Sequence, residues 1–196
     1  MTHRGAIDAD GKTGDGSGIL TQIPRALFSR ELSKLGHTIG DINDLAIGVF
    51  FLPSEDEAAA KSIQEAAVTI AAKRGIQVLG WREVPVSSEE LGKLAALSQP
   101  NIQHLMLERP ADWEADHFER QLYLLRRSIE RQFAEVANFY IPTISGRLIS
   151  YKGLAMPATL QAFYNDLQDS DFQVSLALYH QRFSTNTFPA LSLIHI

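Results

Sequence analysis

His180-Gln181-Arg182-Phe183-Ser184-Thr185-Asn186-Thr187-Phe188-Pro189 follows the last patterned run of the chain. In that run Phe172, Val174, Leu176 and Leu178 alternate with Gln173, Ser175, Ala177 and Tyr179. A period of two predicts a β-strand with one buried face. The stretch then places a guanidinium, a serine, two threonines and an amide where that strand leaves the core. Such a cluster suits recognition of a small charged molecule. Arg182 can grip a carboxylate through two parallel hydrogen bonds. The plainer reading is a strand exit with Ser/Thr turn chemistry and a surface arginine, and pattern alone favours it.

Working outward, strands and helices alternate. Asp8 to Gly18 is rich in Gly and Asp and reads as a loop leading into a strand over Ile19–Ile23. Its Gly11-Lys12-Thr13 is not a phosphate-binding loop, because Ala6 stands where that motif needs its first glycine. Pro24 opens a helix striped by Leu27, Phe28, Leu32 and Leu35 and closed by Gly36. Leu45–Leu52 is a buried strand. Ser54 and Glu57 form a candidate capping box for a helix over about 55–74, which Gly75 ends. Strands are predicted over Ile76–Val84 and Ile102–Leu107. Between them Ser87 and Glu90 make a second capping box, for a short helix reaching about Leu97. Phe118, Leu122, Leu125, Ile129, Phe133 and Val136 mark a long amphipathic helix, whose Arg120, Arg126, Arg127 and Arg131 read as a solvated face. Two strands follow about a Ser145-Gly146 turn within Asn138–Tyr151. A helix then carries Leu160, Phe163 and Leu167. On pattern alone this alternation favours a parallel α/β sheet.

The 196 residues are enough for one sizeable core. A net charge of −5 leaves no footprint for nucleic acid or an anionic membrane. No apolar run approaches spanning length, and the N-terminus does not have the form of a signal peptide. Cysteine is absent. That excludes disulfides, thiolate metal sites and a cysteine nucleophile within these residues. The six histidines show no paired spacing on a helix, so no metal site is expected. His3 and His180 read as packing or hydrogen-bonding residues. No Gly-x-Ser-x-Gly elbow supports a serine hydrolase.

Three blocks carry a resemblance. Met1-Thr2-His3-Arg4-Gly5-Ala6, Thr13-Gly14-Asp15-Gly16-Ser17-Gly18-Ile19 and His180–Pro189 resemble the HRGA, TGDGAGI and HSRFSTNTFP motifs of the class II glutamine amidotransferase (glutaminase) domain of glutamate synthase large chains. They occur in that family's order and at about its spacing. Gln181 replaces a small residue. The resemblance implies an α+β fold, a four-layer αββα sandwich of the N-terminal nucleophile hydrolase type with mostly antiparallel sheets. The βαβ-like middle, Asp41–Pro110, is then an elaboration on that core. Residues 1–189 are read as a partial domain lacking its nucleophile segment and its C-terminal part. Residues 190–196 depart from the family pattern and are set apart as a tail of doubtful origin.

The same resemblance implies hydrolysis of glutamine to glutamate and ammonia, the ammonia serving reductive amination of 2-oxoglutarate in a synthase domain of the same chain. The family's nucleophile is an N-terminal cysteine whose α-amine is the base. Neither that cysteine nor the Asn-Gly oxyanion pair occurs here, so the fragment is expected to be inactive, with no catalytic residue of its own. Carried over by motif, Arg182 binds the α-carboxylate of glutamine, and Phe183, Ser184, Thr185 and Asn186 form the pocket beside it. Arg4 and Gly5 pack near the nucleophile. No cofactor is expected in this domain. FMN and an iron–sulfur cluster belong to the rest of the enzyme, with a small subunit or ferredoxin as electron donor, in the cytoplasm. Two other readings stand beside this one. One is a non-catalytic α/β module binding a small acidic ligand. The other is a different class II amidotransferase, against which the TGDG block argues.

Overall fold

The structure, a computed structural model, describes residues 13–180. Two antiparallel sheets organise them. The larger has the order β3-β4-β2-β5, from Gln77–Glu83, Asn101–Glu108, Leu45–Leu52 and Tyr140–Ser145. The smaller has the order β6-β1-β7, from Leu148–Ala155, Thr13–Gln22 and Ala177–His180. Every pairing between these strands is antiparallel. The parallel sheet favoured by alternation alone is therefore not what forms, and the antiparallel sheets implied by the resemblance are.

All eight residues of β2 are buried, because helices cover one face of the large sheet and a mixed core covers the other. On the first face Ala46, Phe50 and Leu52 meet Ala60, Ile63, Ala67 and Ala71 of α2 (Glu57–Lys73) and Phe118, Leu122, Leu125 and Ile129 of α4 (Ala115–Gln132). Each fully buried Phe or Leu contributes about 1.5–3 kcal/mol. On the second face Leu45, Ile47, Val49 and Phe51 meet Leu27, Phe28 and Leu32 of α1 (Arg25–Lys34), Leu160 and Phe163 of α5 (Pro157–Phe163), and Ile149 and Tyr151 of β6. A period of two along β2 feeds both cores from one strand.

The middle of the chain departs from its expected role. Residues 41–110 supply three of the four strands of the large sheet, so they are not an elaboration on it. β2 and β3 do run the same way, joined by α2, but β4 lies between them and pairs antiparallel with both. Periodicity saw the helix crossover correctly and could not see the inserted strand.

Capping also shifts. The side chain of Asp56, not Ser54, accepts from Ala59 N at 2.9 Å to start α2. Ser87 donates to Asn165 Oδ1 at 3.0 Å rather than capping a helix. The predicted helix there splits into a 3-10 turn over Ser88–Glu90 and a short α3, Lys93–Leu97. On α4, Arg126 is not solvated: its Nε donates to Glu130 Oε1 at 2.8 Å and its Nη1 to Pro142 O at 3.3 Å.

The corner between the sheets is pinned from below. Glu119 of α4 accepts from Gly146 N at 2.6 Å and from Ser145 Oγ at 3.0 Å. Arg25 donates to Gly146 O at 2.5 Å, Leu45 O at 2.7 Å and Ile42 O at 2.9 Å. The β5–β6 turn at Ser145-Gly146 is thus held by two charged side chains from different helices.

A buried polar cluster lies under the second core. Arg82 on β3 makes a two-pronged pair with Asp166, Nη2 to Oδ1 at 2.7 Å and Nη1 to Oδ2 at 2.9 Å, and its Nε donates to Glu31 at 2.9 Å. Tyr151 OH donates to the same Asp166 at 3.0 Å. His104 Nδ1 lies 3.3 Å from Arg82. Burial, then the neighbouring Arg82 charge, pushes His104 well below its ordinary range, so it stays neutral when folded. The unfolded chain binds a proton there below about pH 6.5, and stability should fall as pH drops from that point, by at most about 1.4 kcal/mol per unit. Unfolding free energies from pH 6.5 to 5.0 should show a shallower slope in His104→Gln. Parallel slopes would show that His104 is not the group responsible.

Candidate functional site

Thr13–Ile19 was expected to be mostly loop, yet β1 begins at Thr13. A bulge between Thr13 and Ser17 accommodates it, with Gly16 at φ 107°, a conformation that favours glycine. Buried Ser17 donates to Ala155 O at 2.8 Å across to β6. Glycine-rich sequence usually signals a loop. Here it marks a central strand whose neighbours crowd in on both sides.

Gly18 is the clearest case. It pairs with Lys152 of β6 on one side and His180 of β7 on the other. A Cβ at Gly18 would lie 2.7 Å from His180 Cε1 and 3.1 Å from Lys152 Cβ. The His180 ring therefore occupies the space above Gly18. Directly opposite residues share a face of the sheet, so Lys152, Gly18 and His180 form one row across three strands.

Lys152 is 4% exposed. Its ammonium lies 4.4 Å from the ring centroid of Tyr140 on β5 and 3.4 Å from that residue's hydroxyl. Burial, with the Arg126 charge beside it, pulls Lys152 down to about 7. Burial pushes Tyr140 up to about 12, and burial followed by the Lys152 charge lowers His180. Sequence reading missed Lys152. No pattern in the sequence marked it, because the strand was read as ending at Tyr151 and it runs on through Lys152 to Ala155.

The strand ahead of Arg182 does not bury the face that alternation predicted. Among the described residues β7 is an edge strand only four residues long, and Leu176, Leu178 and Tyr179 are 60%, 67% and 62% exposed. Of the apolar set only Phe172 joins the core, against Tyr151 with ring centroids 5.7 Å apart. Arg182, Phe183, Ser184, Thr185 and Asn186 lie outside the described residues, as do Arg4 and Gly5. What is described is their approach. Over the described residues β7 runs antiparallel to β1, with His180 opposite Gly18. The Thr13–Ile19 block and the strand that reaches His180, more than 150 residues apart in sequence, are thus neighbours in one sheet.

The sequence matches the family of class-II glutamine amidotransferases over residues 1–195. The chain belongs to that family. Among curated relatives, the glutamate synthase [NADPH] large chain of Azospirillum brasilense is 39% identical over 193 residues, spanning 97% of this chain and 13% of that protein. The corresponding protein of Bacillus subtilis is 38% identical over 198 residues, spanning 100% of this chain and 13% of its own length. The ferredoxin-dependent glutamate synthase 2, chloroplastic, of Arabidopsis thaliana is 38% identical over 192 residues, with 96% and 12% spanned. This chain therefore spans about an eighth of the length of the relatives it matches. These matches favour the amidotransferase over the non-catalytic module. Among the described residues no group of three or more His, Asp or Glu is placed to hold a metal ion, and no helix is long and apolar enough to cross a membrane.

Proposed function

We propose that this chain is part of the glutaminase domain of a glutamate synthase, releasing ammonia from glutamine for reductive amination of 2-oxoglutarate. The observation that carries the reading is similarity along nearly the whole chain to glutamate synthases, at 37–39% identity. The two antiparallel sheets and the helices α2 and α4 account for three layers of the αββα sandwich of N-terminal nucleophile hydrolases, and we assign the chain to that fold. Arg182 is proposed to bind the α-carboxylate of glutamine, with Phe183, Ser184, Thr185 and Asn186 lining the pocket, while Arg4 and Gly5 pack near the nucleophile. The pairing of β1 with β7 supports this assignment, because it brings the Thr13–Ile19 block beside the strand that leads to Arg182.

A cysteine nucleophile activated by its own α-amine, and an Asn-Gly oxyanion pair, complete the reaction in this reading. Neither occurs in these 196 residues. Nor does the chain offer a thiolate for an iron–sulfur cluster, so the cluster and FMN are assigned to the synthase portion, fed by a small subunit or ferredoxin in the cytoplasm.

The test compares two proteins. The full-length product of the source gene should form glutamate from glutamine and 2-oxoglutarate and should release ammonia from glutamine. The 196-residue polypeptide should release none above a buffer blank, because losing even one oxyanion donor costs about a hundredfold or more. Ammonia release by the short chain, or its absence from the full-length protein, overturns the reading.

A further inference from the structure

The row Lys152–Gly18–His180 has a feature that the strand pairing alone does not require. A lysine is nearly fully buried at the edge of the small sheet, where a methionine of similar volume would avoid the cost of desolvating an ammonium. Its side chain reaches Tyr140 on the edge strand of the other sheet. Its backbone is held as well, since buried Tyr164 donates to Lys152 O at 2.8 Å. On its other side lies Gly18, the only residue type that leaves room for the His180 ring to lie over the central strand. His180 in turn is followed directly in sequence by Gln181 and Arg182.

We infer that Lys152 is a positioning residue for glutamine binding: it spans from Tyr140 to the Gly18–His180 pair and so fixes the point from which the substrate-gripping segment departs. The inference rests on the glutaminase reading above. Lys152 touches neither the substrate nor the reacting atoms in this account. It acts through His180, whose ring lies over Gly18 in the same row of the sheet. A displacement of about 1 Å at the root of a binding segment costs up to about a hundredfold in rate or affinity.

The experiment uses the full-length enzyme, with ammonia-dependent glutamate synthesis as the count of folded protein. Lys152→Met should raise the KM for glutamine about tenfold while kcat stays within about threefold of wild type. A merely structural role predicts the opposite split, because a smaller active fraction lowers kcat and leaves KM alone. Gly18→Ala, whose Cβ collides with the His180 ring, should raise KM in the same way, and it decides the matter if Lys152→Met does not fold. An unchanged KM for glutamine, or a fall in kcat larger than the rise in KM, overturns the inference and leaves the glutaminase reading standing. A wild-type enzyme that does not hydrolyse glutamine at all overturns both.

Discussion

Asp166→Ala is expected to destabilise the folded chain by about 3–5 kcal/mol, the cost of leaving a buried charge without its partner. The Arg82 and Asp166 side chains are 7% and 2% exposed. Burial works against the charge on Arg82, and the hydrogen bonds it donates to Asp166 and then Glu31, with their charges, outweigh it, so its pKa is raised. Removing Asp166 takes away two hydrogen bonds from Arg82 and the acceptor of Tyr151 OH. Glu31 remains on Nε, which places the loss toward the lower end of the range. A double variant, Arg82→Met with Asp166→Leu, should recover most of the loss, since apolar residues of similar volume replace a buried pair at little cost. Urea unfolding followed through Trp81, next to Arg82 on β3, and Trp113 measures both. A loss below about 1 kcal/mol in Asp166→Ala would mean that water or Glu31 satisfies Arg82 without it.

Arg182→Lys should weaken the use of glutamine by about 2–4 kcal/mol in kcat/KM in the full-length enzyme, although the charge is kept. A guanidinium holds a carboxylate by two parallel bonds and fixes its orientation, and an ammonium cannot copy that fork. Synthesis from added ammonia should be largely spared, because it bypasses glutamine. Equal loss of both activities would make Arg182 a structural residue. Unchanged glutamine kinetics would place the carboxylate elsewhere.

Much of the local structure was legible in the residues. The run Leu45–Leu52 is a strand end to end. The stripe from Phe118 to Ile129 lies along α4, and Gly36 and Gly75, both at positive φ, close the two helices they were expected to close. What failed was pairing and direction. Periodicity describes one strand at a time, so it cannot report that β4 slots between β2 and β3. It also misread Phe172–Tyr179, where alternation predicts a buried face and the described chain has only Phe172 packed inward. The proposed substrate contacts rest on the motif blocks alone and lie outside the described residues. Lys152 escaped because a single lysine in a strand carries no pattern, and its neighbours Gly18 and His180 are set by long-range register.

The placement of β4 bears on how the protein can be made. β2 and β3 emerge early from a ribosome, separated by one helix, yet they have no edge in common. Until residues 101–108 arrive, both have unpaired backbone edges, and β2 is apolar on both faces. The large sheet can close only after β5, near residue 145, has been synthesised, and its contacts then span about half of the chain. A nascent chain paused before residue 101 is therefore the species most exposed to misassembly and most in need of a chaperone.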